Sequence, residues 1–174
     1  MIRLWGAAAA ITAVLTVLVM PGVAAGQADL NSVRNDTAKY HDTAKAEHDG
    51  YHTLLACFDL PGVGGMGQHY VNLKLLDGSV DPSQPEALVY EIESNKLKLV
   101  AVEYIIPIDK WTSGDPPTLF GRTFTRIDSL GLWALHAWIW KHNPDGVFAN
   151  YNPRVPLCNG QRVGGGGGDE GGDD

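Results

Sequence analysis

Three side chains in this sequence are of types that do chemistry together: His69, Glu103 and His136. Each stands in a run that reads as a β-strand, and side chains alternate across a strand, so each run divides into two faces. In Gln68 to Leu75, His69 shares a face with Val71, Leu73 and Leu75, opposite Gln68, Tyr70, Asn72 and Lys74. In the hairpin Ala87 to Ile106, one face reads Leu88, Tyr90, Ile92, Leu97, Leu99, Ala101, Glu103 and Ile105, with Glu103 its only carboxylate. In Leu130 to Lys141, His136 falls with Leu132, Ala134, Trp138 and Trp140. The other face of that run, from Trp133 through Ile139, is apolar as well, so this strand is expected to be central or covered on both sides. Alternation assigns faces and not neighbours, and one bulge reverses every assignment beyond it.

A carboxylate on a buried face must be paired, protonated or metal-bound, because loss of water opposes an isolated charge. Two imidazoles and a carboxylate supply three ligands to zinc, or the open facial set of non-haem iron. The expectation is a pocket lined by His69, Glu103 and His136 that binds one divalent transition metal such as zinc, or a small ligand. In an enzyme the metal would activate water or a substrate oxygen, with Glu103 as ligand or general base. The sequence assigns no catalytic residue and leaves enzyme against binding protein open. The same three residues also fit a hydrogen-bonded polar core in a non-enzymatic extracytoplasmic interaction or envelope-associated module. Trp133, Trp138 and Trp140 fit core packing, or a sugar platform in a carbohydrate-binding module if they are exposed. His41 and His48, seven residues apart on a predicted helix, share a face and could add ligands; His142 falls in a turn. There is no G-x-S-x-G elbow, H-E-x-x-H helix or CxxC pair.

The elements that must position these residues begin with one helix, Leu30 to about Glu47. Its start can be capped by Asn31, Ser32 or Asn35-Asp36, and Asp49-Gly50 ends it. Its weak stripe of Val33, Thr37, Tyr40 or His41, and Ala44 suits packing on a sheet. His52 to Phe58 is a short strand candidate. Pro61 to Gly67, PGVGGMG, lacks phosphate-loop spacing and reads as a flexible connector. In the hairpin, Ser94-Asn95 is the turn, which sets Ile92 opposite Leu97, Glu91 opposite Lys98 and Tyr90 opposite Leu99. One helix followed by strands is an α+β order with an N-terminal helix packed on an antiparallel β-sheet or partly closed barrel.

The chain carries 13 Lys and Arg against 20 Asp and Glu, a net charge of -7. No basic stripe is available to neutralise phosphates, so no nucleic-acid partner is expected. Arg3, the uncharged apolar run Leu4 to Met20, Pro21-Gly22 and the small residues Val23-Ala24-Ala25 read as a signal peptide cleaved near Ala25, with Ala28 as the alternative. The protein is therefore expected to be secreted or extracytoplasmic, with no stable membrane insertion after cleavage. Residues 26–163 are expected to form a single α+β domain. The segment 164–174 holds only Gly, Asp and Glu and reads as a disordered acidic tail. Two cysteines remain, Cys57 and Cys158, and in an oxidising compartment an even pair is expected to form a disulfide.

Several segments carry a resemblance in order and spacing across residues 36–158: GMGQHYVN at 65–72, PEALVYE at 85–91, VEYIIP at 102–107, PTLFG at 117–121 and LHAWIWKHNPDGVFANYNP at 135–153. On these the chain resembles a group of small secreted bacterial proteins of uncharacterised function. The resemblance implies a secreted single-domain protein and carries no activity or catalytic residue.

Overall fold

Residues 22–54 and 56–158 are described by the computed structural model; the side chains of 22–28 are outside the description, as are residues 1–21, with most of the expected signal peptide, and the tail 164–174. In chain order the elements are α1 (Gly22–Thr37), a 3-10 turn (Ala38–His41), α2 (Thr43–His48), β1 (His52–Thr53), β2 (Phe58–Leu60) and β3 (Gly64–Val71). They continue with β4 (Ala87–Glu93), β5 (Lys96–Pro107), β6 (Thr118–Leu119), β7 (Arg122–Thr123), β8 (Thr125–Ile127) and β9 (Leu132–Ala137). Seven strands form one antiparallel sheet in the order β1-β3-β4-β5-β9-β8, with β2 also pairing β3. Strands β6 and β7 make a separate ribbon. Among the described residues the sheet stays open at β8 and at the β1 and β2 edge, so it does not close into a barrel.

The β4–β5 hairpin turns where its sequence predicts. Ser94 and Asn95 take φ of 51° and 60°, the positive-φ geometry whose twist matches paired strands. Ile92 stands opposite Leu97, Glu91 opposite Lys98 and Tyr90 opposite Leu99. The charges find other partners than the register suggests: the Lys98 ammonium pairs with Glu93, and buried Glu91 pairs with Lys141. Past Tyr90 the register shifts, because Val89 pairs with Ala101 and Val100 is left as an extra residue. The Val100 carbonyl accepts from the backbone N–H groups of Trp140 and Lys141, both at 3.1 Å. This bulge overturns the face assignment for the second half of β5. Glu103 lies with Ala87 and Val89, not with Leu88, Tyr90, Leu97 and Leu99.

The helices cover the other face. Leu30, Val33, Tyr40 and Ala46 pack against Tyr70, Leu88, Tyr90, Leu99, Val102 and Tyr104. The Tyr90 hydroxyl donates to the Tyr40 carbonyl at 2.7 Å, and the Trp140 indole N–H donates to the Thr37 hydroxyl at 3.3 Å. The single helix expected from Leu30 to Glu47 is two. It starts earlier, at Gly22, where Ala24, Ala25 and Ala28 favour helix, and it breaks at Asp42. That residue is extended, with φ -97° and ψ 107°, and its carboxylate accepts from Ala44 N–H to start α2. The break rotates the second half, so Ala46 rather than Ala44 is buried.

The glycine-rich segment is not a flexible connector. Only Pro61 to Val63 turn; Gly64, Gly65 and Gly67 are paired residues of β3. Their lack of a side chain lets two backbones approach. A Cβ on Gly65 would meet the Pro156 carbonyl oxygen at 2.6 Å, and one on Gly67 (φ +104°) would meet the Tyr90 carbonyl oxygen at 2.6 Å. The closing segment therefore lies on β3, with Asn152 N–H donating to Gly65 O at 3.0 Å and Gly65 N–H to Val155 O at 3.2 Å. The Cys57–Cys158 disulfide, Cα atoms 5.7 Å apart, ties β2 to that segment. Beyond Val71 the chain leaves the sheet as a 3-10 turn, Leu73–Leu75, started by the Asn72 side chain accepting from Lys74 N–H. No helix among the described residues is long and apolar enough to cross a membrane.

Candidate metal centre

The face away from the helices carries His69 from β3, Glu103 from β5 and His136 from β9. Glu103 and His136 are direct cross-strand partners on neighbouring strands. His69 lies two strands from Glu103, with β4 between them. The β4 residue opposite Glu103 is Ala87. That small side chain leaves the space over β4 through which the imidazole and the carboxylate reach one another. His69 Nε2 lies 3.3 Å from Glu103 Oε2, and His136 Nε2 lies 3.3 Å from Glu103 Oε1. One ligand atom from each residue falls within 4.8 Å of the other two. The residues are only 4, 5 and 2 % exposed for His69, Glu103 and His136.

Burial opposes ionisation of Glu103, but the facing imidazoles of His136 and His69 outweigh it and hold the carboxyl below its ordinary range. Burial likewise pushes His136 below the usual imidazole range, against the pull of Glu103, so its ring is in the neutral form that binds metals. The hydrogen bonding is incomplete. His136 Nε2 is close to the carboxylate yet makes no hydrogen bond, and Nδ1 of both rings has no partner among the described protein groups. Orphaned nitrogens at such depth are costly in a closed polar core. Two imidazoles and an ionised carboxylate with converging donor atoms form a cluster capable of coordinating a divalent metal ion.

A cavity of about 170 Å³ opens beside the cluster, with His69 and Glu103 in its wall. Phe58 of β2 forms part of the same wall and sets its ring edge-on to His69, with centroids 5.7 Å apart. His136 backs the site, stacked on Trp138.

The remaining histidines stay outside. His41 ends the 3-10 turn with its ring against Trp140, and His48 is exposed beside Asp49. The break at Asp42 puts them on different helices, so the shared-face argument fails. His52 and His142 are exposed. Trp138 is buried, its indole N–H donating to Ala149 O, while Trp133 and Trp140 are half-buried beneath the guanidinium groups of Arg126 and Arg34. These are packing arrangements. Two further residues escape the sequence reading. Tyr151, in the cavity wall, sits in an irregular segment with no period to read. Glu86 stands one residue before β4; alternation carried one step further would have set it with Leu88 and Tyr90. It is buried, and its carboxylate accepts from Ile105 N–H at 3.0 Å.

Comparison of the chain with family models, with curated proteins and with solved structures finds no match in any of the three.

Proposed function

We propose that this is an extracytoplasmic protein that binds zinc through His69, Glu103 and His136. The observation that carries the reading is the convergence of one donor atom each from His69, Glu103 and His136 within 4.8 Å of one another at a buried site. Two imidazole nitrogens and one carboxylate oxygen are a donor set that zinc takes in sites with three protein ligands. The orphaned His136 Nε2 supports the same reading, since coordination would satisfy it. Three protein ligands leave zinc a further position for water or a ligand, where it acts as a Lewis acid. Glu103 supplies the negative charge of the site, and the imidazoles supply neutral donors. The leader sequence and the resemblance to secreted proteins support an extracytoplasmic location.

Metal analysis of the purified protein tests this. The expected result is one zinc per chain, lost in His69→Ala, Glu103→Ala and His136→Ala. A structural polar core has one observation in its favour, the His69–Glu103 pair itself. On that reading the substitutions lower stability and change no metal content. Sub-stoichiometric metal in every preparation, indifferent to all three substitutions, would decide for the polar core.

A further inference from the structure

The cavity beside the cluster has a chemistry of its own. Apart from His69 and Glu103, its described wall is hydrocarbon or thioether except for the phenol of Tyr151: Val71, Ile105, Ile127, Leu132 and Ala134 come from the sheet, and Leu130 from the β8–β9 turn. No Lys or Arg is among its described lining residues. Away from the metal position, the wall offers the remaining polar atoms of a phosphate, a carboxylate or a sugar few partners in exchange for their hydration, which is costly in an apolar site. The volume, about 170 Å³, is that of a single ring: cavities of ~150 Å³ lined by aliphatic and aromatic side chains take up benzene. The polar groups that do face the cavity are gathered at the candidate metal centre and at Tyr151.

The way in is also visible. Leu130 lines the cavity and is 49 % exposed. It sits in the turn that joins β8 to β9, held by Leu130 N–H to Ile127 O at 3.1 Å and Gly131 N–H to Asp128 O at 3.2 Å. An apolar side chain at the rim of an apolar cavity is a threshold that a hydrophobic ligand crosses easily and a hydrated ion does not.

We propose that the site binds a small, uncharged, one-ring ligand with a single oxygen donor, of the chemical class of a simple phenol. Its ring fills the apolar cavity between β3, β5 and β9, and its oxygen faces His69 and Glu103. The inference rests on the metal reading for its polar end, and on the cavity alone for its apolar end.

Titration calorimetry of the zinc-loaded protein with phenol, toluene, benzoate and glucose tests it, with zinc content measured on the same sample. Phenol should bind once per chain, roughly tenfold or more tighter than the other three. Ala134→Leu, which puts hydrocarbon into the cavity, should weaken phenol by a similar factor with zinc content unchanged. Leu130→Trp, at the exposed rim and tolerant of a larger side chain, should do the same and keeps the test decisive if the first variant folds poorly. Phenol binding no tighter than glucose, on protein holding one zinc, overturns the ligand and leaves the metal reading standing. Toluene binding as tightly as phenol overturns the polar end of the proposal. Zinc content reports separately on the metal reading.

Discussion

At the residue scale the molecule holds its carboxylates in opposite states. Glu103 is flanked by imidazoles and kept ionised, while Glu86, also buried, has no ion pair among the described residues and is pushed up to about 8 by desolvation, against the hydrogen bond from Ile105 N–H. The consequence for stability has a definite sign. An unfolded Glu loses its proton near pH ~4.3, but the folded chain keeps that of Glu86 until about 8. Between those values the folded state binds the extra proton, so stability is full at the acid end and falls as pH rises. The fall is on the order of a few kcal/mol. Urea denaturation at intervals from pH 5 to 8 should show it, and Glu86→Gln, which keeps an acceptor for Ile105, should flatten the curve. Removing Glu103 acts differently. The His69 imidazole would be left buried without its carboxylate partner, and Glu103→Ala should cost about 1–3 kcal/mol besides the metal, as read by the same denaturation.

At the scale of elements, the bulge at Val100 creates the site. Had β4 and β5 kept the register that starts at Ser94-Asn95, Glu103 would lie under the helices with Leu88 and Tyr90, out of reach of His69 and His136. The extra residue turns Ala101, Glu103 and Ile105 to the opposite face, and Trp140 and Lys141 N–H hold it in place. Deleting Val100 should therefore leave metal binding intact, because Leu99 would then run straight into Ala101 in regular alternation and Glu103 would keep its face opposite Ala87. Metal content of that variant, with far-ultraviolet circular dichroism to show the sheet, is the check; loss of metal with the sheet intact would mean that the Val100 carbonyl, through Trp140 and Lys141 N–H, holds the site and not the face of Glu103 alone. The faces of β3 and β9 hold over the paired residues that carry His69 and His136, while Leu75 and Trp140, expected on those faces, lie past the strand ends and pack on the helix side.

For the whole molecule, the question is what holds the second face shut. The helices cover one side of the sheet, but the side with the site is covered by β2, the β8–β9 turn and the segment ending at Cys158, which have little secondary structure of their own. The disulfide closes a loop with a sequence separation of 101 and anchors that cover next to Phe58. In the chain-entropy model a loop of this size contributes up to ~4.7 kcal/mol. The double variant Cys57→Ala, Cys158→Ala should lose several kcal/mol, and hydrogen exchange should rise first at β2 and residues 152–158, before the β4–β5 hairpin. Uniform loss of protection would show that the bridge stabilises only the chain as a whole.

The amino-acid sequence alone determined that His69, Glu103 and His136 are buried, though not that Glu86 and Glu91 are, together with the turn and early register of the hairpin, the α+β order, and the one disulfide that two cysteines allow. Those follow from local rules: alternation, turn chemistry and counting. The tertiary structure decided that His69, Glu103 and His136 meet. The strand order brings β9 beside β5, and β3 one strand further. The Val100 bulge reverses one face, and Ala87 leaves room above β4. None of these is periodic in the chain. Each depends on which backbones come to lie side by side, so the three residues stand on inward faces in the sequence and become a centre only in the fold.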